Sequence, residues 1–417
     1  MRVLLAPGGL WPEPAGVPLV GSAGGLPAGC VAGCLARGWR SSRPDDVLTL
    51  LPMVDGGPGS AQAICPERIA SREAIQGRGP LGQVREVDLV RLVPGPQRAG
   101  RRRPGEGRTW FLDAARLLAL PADPDEGAQE ALQGSTYGLG QAIGAALSRT
   151  HSSDTLLVGL SRSAVHDGGA GALDALGGAA AAMDLLAGRS LGLVLADDIA
   201  LGGMNGAGAA LADVTSLGPR QAQELDRRAC AAATEVVNTT GTIRKSSSGG
   251  RRTLPVVSAL DGAQMSSASA AADSGGMGRL LGTSVWGTGA AGGGAMALRA
   301  LGAWARPGAR VMAEILGLPD AVLGQDLVVT ASGELYDVLA DSIVGVVGQH
   351  AASQALPCAL VCGRCATTRG ELASAGISTS YSVQEPHSVE SWDAGSPDAL
   401  EARLTDLGAR LAQTWSH

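Results

Sequence analysis

The chain reads as an α/β protein built on mostly parallel sheet flanked by helices, and three observations predict it. Continuous apolar runs at residues 2–6, 47–53, 155–160, 191–196, 327–330 and 358–362 have the length and unbroken hydrophobicity of strands covered on both faces. Between them lie stretches with helical spacing at 138–147, 170–186, 221–237, 295–304 and 344–352, so strand and helix alternate as in βαβ units. The length of 417 residues and the 45% hydrophobic content suffice for two or three domains with their own cores.

Taken in order, the run at 47–53 leads directly into Asp55-Gly56-Gly57-Pro58-Gly59, and the run at 155–160 into Ser163-Ala164-Val165-His166-Asp167-Gly168-Gly169. In an open parallel sheet, ligands collect beyond the carboxyl ends of strands. Glycine there lets a ligand approach the backbone, and the aspartate can hold a metal, take a proton or cap a helix. The run at 191–196 is followed by Asp197-Asp198, either a site carboxylate or a pair of surface acids. Gly287-Thr288-Gly289-Ala290-Ala291-Gly292 opens onto the helical 295–304 stretch. Its amides either cradle phosphate at a helix N-terminus or make a close packing turn. The final helix is carried by Leu400, Leu404, Leu407 and Leu411, with Ser396-Pro397-Asp398 as N-cap, N1 and acidic first turn. Residues 93–108, rich in Pro, Gly and Arg, and 245–279, mostly Ser, Ala and Gly, read as long loops.

Composition narrows the function. With one Phe, three Tyr and seven Trp, packing must come from Ala, Val and Leu, which pack well only where elements approach closely; the 62 glycines permit that. A net charge of −6 argues against nucleic acid, whose phosphates demand a basic face. Lys245 is the only lysine, and no glycine loop precedes Lys245-Ser246, so a P-loop is excluded. Arg101-Arg102-Arg103, set among prolines and glycines, reads as a solvated loop. No apolar run reaches the roughly 18 residues of a membrane span, and a cytoplasmic location is expected. The seven cysteines are odd in number and scattered. Cys358, Cys362 and Cys365 are read as buried structural thiols in preference to a zinc site.

The glycine turns carry a family resemblance. Leu51-Pro52-Met53-Val54-Asp55-Gly56-Gly57-Pro58-Gly59 and Ser163 to Gly171 resemble two signatures of bacterial glycerate kinases. Further matches follow in order: Ser135-Thr136-Tyr137-Gly138-Leu139-Gly140, Gly289-Ala290-Ala291-Gly292-Gly293, Asp326-Leu327-Val328-Val329-Thr330 and the strand at 357–363. The resemblance implies two α/β domains, the second inserted in the first, with the active site in the cleft between them. The first is a Rossmann/flavodoxin-like domain of residues 1–50 plus 285–417, and the inserted one spans 51–284. It also implies phosphate transfer from ATP, with Mg²⁺, to a hydroxyl of glycerate or a related hydroxy acid. Asp198, Asp167 and Asp55 are then the catalytic candidates, with Asp198 on the metal. Ser163, Gly56, Gly57, Gly168, Gly169, Thr136, Arg162 and Arg220 would meet the substrate, and Gly287, Gly289 and Gly292 the nucleotide. Self-association is left open.

The chain also departs from the family's patterns. Ala6-Pro7-Gly8-Gly9-Leu10-Trp11-Pro12 lacks the family's aspartate and lysine, Ala200-Leu201 replaces Asp-Asn, and Ser161-Arg162 replaces two glycines. Two rival readings follow: a catalytically impaired paralogue that binds a small acid or a protein, and a nicotinamide-dependent oxidoreductase built on Gly287 to Gly292, with Glu314 holding the ribose.

Overall fold

The computed structural model describes residues 1–12, 25–93, 107–247, 281–384 and 391–416. Its strands are β1 (Arg2–Leu5), β2 (Val47–Leu50), β3 (Ile69–Arg78), β4 (Val84–Leu92), β5 (Thr109–Leu112), β6 (Thr155–Leu160), β7 (Ser190–Leu195), β8 (Trp304–Pro307), β9 (Leu327–Leu335), β10 (Cys358–Cys365) and β11 (Thr379–Ser382). Among the described residues they form two sheets. One is ordered β11-β10-β9-β1-β2 and is parallel throughout. The other is ordered β3-β4-β5-β6-β7-β8, antiparallel across β3, β4 and β5 and parallel from β5 to β8.

All six apolar runs are strands, with β9 and β10 running past their predicted ends. The hairpin of β3 and β4 was not foreseen. Its edge strand exposes Arg72, Glu73 and Ala74 in succession, so it lacks the apolar run by which the others were recognised. The predicted helix at 170–186 is two, α1 (Ala170–Ala175) and α2 (Gly178–Leu186), broken at Gly177 with φ +86. The segment at 221–237 lies inside a longer helix, α3 (Pro219–Ser247). The helix predicted at 295–304 stops at Ala300, and Trp304 begins β8. The reason is packing: a Cβ at Gly192 on β7 would lie 2.3 Å from the Trp304 ring, so the indole fills the place of a missing side chain. The second sheet therefore takes its last strand from beyond the return point at 285. Of the expected loops, 94–106 with the Arg101–Arg103 run, and 248–280, lie outside the described residues.

The terminal helix, α5 (Pro397–Trp415), forms as its spacing predicts. Ser396 Oγ accepts the Ala399 N–H, and Leu400, Leu404, Leu407 and Leu411 are buried.

One helix joins the sheets. Ala309, Met312, Ala313 and Leu316 of α4 (Gly308–Leu316) share a hydrophobic cluster with Val90, Phe111, Leu157 and Val194 of one sheet and Leu4, Val328 and Leu360 of the other. Burying aliphatic side chains on both sides, at about 25 cal/mol per Å² of apolar surface, holds the two together. It leaves the carboxyl ends of β2 and β9 opposite those of β6 and β7.

Candidate functional site

The site is assembled from loops that leave those carboxyl ends. After β2 the chain turns at Asp55-Gly56, and Gly56 has φ +91; a Cβ there would sit 2.6 Å from Val194 Cγ1. Any other residue would strain the backbone and push the turn off β7. A Cβ at Gly308, where α4 begins, would fall 1.6 Å from the Asp55 carbonyl oxygen. The turn is thus gripped from both sides, by β7 and by the start of α4. The Gly57 N–H donates to Asp55 Oδ1 at 3.0 Å.

After β7, Asp197 accepts from Arg162 Nε at 2.7 Å and from the Ile199 N–H at 2.9 Å. Asp198 is exposed beside it. Partial desolvation, followed by the negative charge of Asp197, holds the Asp198 carboxyl above the usual range; Arg162 pulls it down and Asp337, just past β9, pushes it up. Burial, against the pull of the Gly57 N–H and with a push from Asp197, raises Asp55 to about 6. Asp197 therefore acts on Asp55 across the two sheets and on Asp198 beside it, Asp337 acts on Asp198, and Arg162 is the cation paired into the group. Of the sequence-predicted residues, Asp55, Asp198 and Arg162 come together here. Arg162, expected at the substrate, is engaged with Asp197.

Asp167 has a different place. Its Oδ2 accepts from Thr136 N at 2.8 Å, Gly171 N at 3.2 Å and Ser135 Oγ at 3.3 Å, while Oδ1 accepts from Gly169 N at 2.9 Å and Thr136 Oγ1 at 3.0 Å. A carboxylate offers about four lone-pair sites, and these bonds occupy them. Asp167 clamps two turns. Thr136 serves it: fully buried, it also accepts the Ala172 N–H through Oγ1, and no ligand can touch it there. Ser163 is buried too, its Oγ accepting the Val165 N–H at 3.2 Å. Arg220 is exposed at the start of α3. The helix passes Gly168 at Ala229, where a Cβ on Gly168 would be 2.3 Å from the Ala229 oxygen; nine residues of helix separate that point from Arg220, about 13 Å.

The glycine stretch at 287–292 lies between these loops. Gly287 N–H donates to the Asp198 carbonyl at 2.9 Å, Gly289 N–H to Ile199 at 3.0 Å and Ala291 N–H to Ser161 at 2.8 Å, while the Gly292 carbonyl accepts the Gly168 N–H at 2.9 Å. Gly287 and Gly289 are thus packing positions whose amides are already used. A Cβ on Gly292 would meet the Val165 oxygen at 2.1 Å, and one on Gly169 the Gly293 oxygen at 2.8 Å.

Two acids escaped the sequence reading. Asp337 signals nothing locally, because it lies beyond the apolar run that marks β9 in the sequence. Asp113 follows β5 without a glycine turn. It is fully buried, its Oδ2 accepts the Ala61 N–H at 3.2 Å in the loop below Asp55, and its Oδ1 has no hydrogen-bond partner among the described residues. Burial pushes its carboxyl up to about 7. The folded state then holds a proton that the unfolded chain releases near pH 4, so stability is greatest below that pH and falls as pH rises towards 7. Asp113→Asn removes the ionisation and should stabilise at pH 8, with a ceiling of about 4 kcal/mol, while changing little at pH 4. Denaturation at both pH values checks this, and an effect independent of pH contradicts it.

Among the described residues no three His, Cys, Asp or Glu side chains gather closely enough to hold a metal, and no helix is long and apolar enough to cross a membrane. The donor set around Asp198 is nonetheless suited to Mg²⁺. The ion takes carboxylate oxygens, often only one or two, and completes its sphere with water and phosphate; the repulsion that Asp197 exerts on both Asp55 and Asp198 favours a cation. Away from this site, an open groove of about 450 Å³ between β3 and the helix Tyr137–Leu147 is lined by Gln76, Arg78, Val84 and Gln141 and contains none of these acids.

Comparison with known proteins adds the family. A model described as the glycerate kinase family matches residues 22–415. An uncharacterized protein of Mycobacterium bovis is 27% identical over 390 residues, 92% of this chain and 87% of its own. The glycerate kinase of Bacillus subtilis is 33% identical over 154 residues, 35% of each chain. The crystal structure of a Salmonella typhimurium LT2 protein assigned as glycerate kinase 2 superposes with a TM-score of 0.61 at 20% identity, covering 99% of this chain and 98% of that one.

Proposed function

The chain belongs to the glycerate kinase family, and from that premise we propose that it transfers a phosphoryl group from ATP to a hydroxyl of glycerate, giving phosphoglycerate. The observation that carries this reading is the meeting of Asp55, Asp197 and Asp198, from the carboxyl ends of strands in opposite sheets, around the Arg162 ion pair. We take the two sheets as two domains and the space between their strand ends as the reaction cleft.

Phosphoryl transfer is positioning plus electrostatic stabilisation. Asp198, exposed and held above the usual range by partial desolvation and the charge of Asp197, is assigned to Mg²⁺, with Asp55, which Asp197 also pushes up, a further carboxylate of the group. The ion, when bound, neutralises charge on the phosphates. Arg162 holds Asp197 at 2.7 Å, which keeps the acid pair in register. Asp55, with its carboxyl at about 6, is mostly ionised at neutral pH and can accept a hydrogen bond from the attacking hydroxyl, the range in which a general base works best. Asp167, with Thr136, fixes the turn carrying Gly168 and Gly169 and takes no part in proton transfer. Gly287, Gly289 and Gly292 serve as packing positions that let the loops around the acids approach one another. ATP is supplied in the cytoplasm, and this reading puts the protein there.

Release of ADP on addition of D-glycerate, ATP and Mg²⁺, followed by a coupled assay, tests the proposal; turnover no faster than buffer from folded protein refutes it. One observation favours the impaired paralogue: Arg162 and the Gly287 and Gly289 amides are all committed to internal partners. That protein would still be stabilised by its acid, by about 2.7 kcal/mol at a hundred times Kd, without turnover. The oxidoreductase reading fails on geometry, since Glu314 sits within α4 and not at a strand end.

A further inference from the structure

The first turn of α4 meets three strand exits at once. Gly308 opens it, and a Cβ there would lie 1.6 Å from the Asp55 carbonyl oxygen and 2.9 Å from that of Leu195. The backbone is therefore wedged between the turn after β2 and the end of β7. Two residues on, Arg310 reaches the third exit, the loop 336–342 that leaves β9. Its Nε donates to Asp341 Oδ1, and its Nη2 donates to the Ala340 carbonyl and to Gln349 Oε1, each at 3.2 Å. Gln349 lies on the helix Ile343–Ser353 that the loop enters. The loop carries Asp337, and Val338 packs at the rim of the cluster that α4 shares with both sheets. Ser342, by contrast, donates to Leu339 and accepts the Gly345 N–H, contacts that stay within the loop and its own helix.

We propose that Arg310 is a positioning residue of the reaction cleft: its three hydrogen bonds fix the loop carrying Asp337 to the helix turn that supports Asp55 and the end of β7, so the acids leaving β2, β7 and β9 keep one spacing. Arg310 touches no reacting atom and acts through the loop. The consequence for rate rests on the kinase reading; the tie itself does not. A guanidinium suits the task because its planar fork fixes direction as well as distance, whereas a lysine would offer a single point charge. Stability is not what the pair supplies. Arg310 and Asp341 are 44% and 35% exposed, and an ion pair so open to water contributes little to folding. What it does supply is register between a loop and a helix that come from different sheets, and displacement of a positioned group by about 1 Å is enough to cost a reaction up to about 10²-fold.

The full chain carrying Arg310→Ala, Arg310→Lys, Asp341→Ala or the Arg310→Ala, Asp341→Ala pair is compared with the parent in two measurements. In glycerate phosphorylation, Arg310→Ala should lower kcat by about tenfold and leave the KM for glycerate and the melting temperature little changed. Arg310→Lys should fall between it and the parent, and adding Asp341→Ala to Arg310→Ala should cost almost nothing more, as for two ends of one contact. In amide hydrogen exchange of the unliganded protein, Arg310→Ala should speed exchange across 336–342 and leave β10 unaltered. Exchange needs no substrate, so a parent inert towards glycerate refutes the kinase reading while exchange still decides the tie. Should Arg310→Ala fail to fold, Arg310→Lys and Asp341→Ala carry both measurements. Unaltered exchange in 336–342, an unaltered kcat in an active enzyme, losses that multiply in the double variant, or a loss seen only in melting temperature overturns the proposal.

Discussion

Asp198→Asn is expected to lower kcat for glycerate phosphorylation by about 10²–10³-fold without lowering the melting temperature. The two halves of that result come from the same electrostatics. Partial desolvation raises the Asp198 carboxyl above its ordinary range, and the charges of Asp197 and then Asp337 add to it. A like-charged neighbour disfavours ionisation, so in the absence of a cation this carboxylate is a burden on the fold. Neutralising it relieves the repulsion. In the proposed mechanism the same change removes the charge assigned to hold Mg²⁺, and with it the neutralisation of the phosphates. A steady kcat with a raised KM for Mg²⁺-ATP would confine Asp198 to binding. An unaltered rate would remove it from the site.

The second large effect concerns Asp167, and it is an effect on stability. Asp167→Asn looks conservative but is not. Oδ1 and Oδ2 each accept a backbone N–H, from Gly169 on one side and from Thr136 and Gly171 on the other. Whichever way the amide is turned, its NH₂ group faces at least one N–H donor. The substitution loses charge-assisted bonds and leaves donors unsatisfied, which amounts to about 3–5 kcal/mol. Denaturant unfolding of the variant measures it. A variant of unchanged stability but abolished turnover would restore Asp167 to the catalytic role that its glycine turn suggests in the sequence.

That contrast shows what the sequence could tell and where its information stopped. Asp55, Asp167 and Asp198 look alike in one dimension, each an acid placed after a buried strand. Tertiary partners separate them: Asp167 finds Ser135 and Thr136, more than thirty residues back, whereas Asp55 and Asp198 find one another's acidic neighbourhood. The parallel strands were legible because a strand buried on both faces must be apolar throughout. The β3 edge was not, because one solvated side frees its residues to be charged. The Gly-x-Gly-x-x-Gly stretch was found, but its hydrogen-bond partners, the carbonyls of Ser161, Asp198 and Ile199, belong to loops that only folding brings near. Asp113 carries no local mark at all, since its burial is made by the loop after Asp55 folding over it.

The central claim is that carboxylates from the two sheets act as one site, and a double-mutant cycle of Asp55→Asn and Asp198→Asn on kcat/KM tests it most directly. Groups that act as a unit are strongly non-additive. The double variant should be no more than a few-fold slower than Asp198→Asn alone, in a protein whose unaltered form phosphorylates glycerate. Independent losses that multiply, or an Asp55→Asn enzyme as fast as the parent, would contradict the shared cleft.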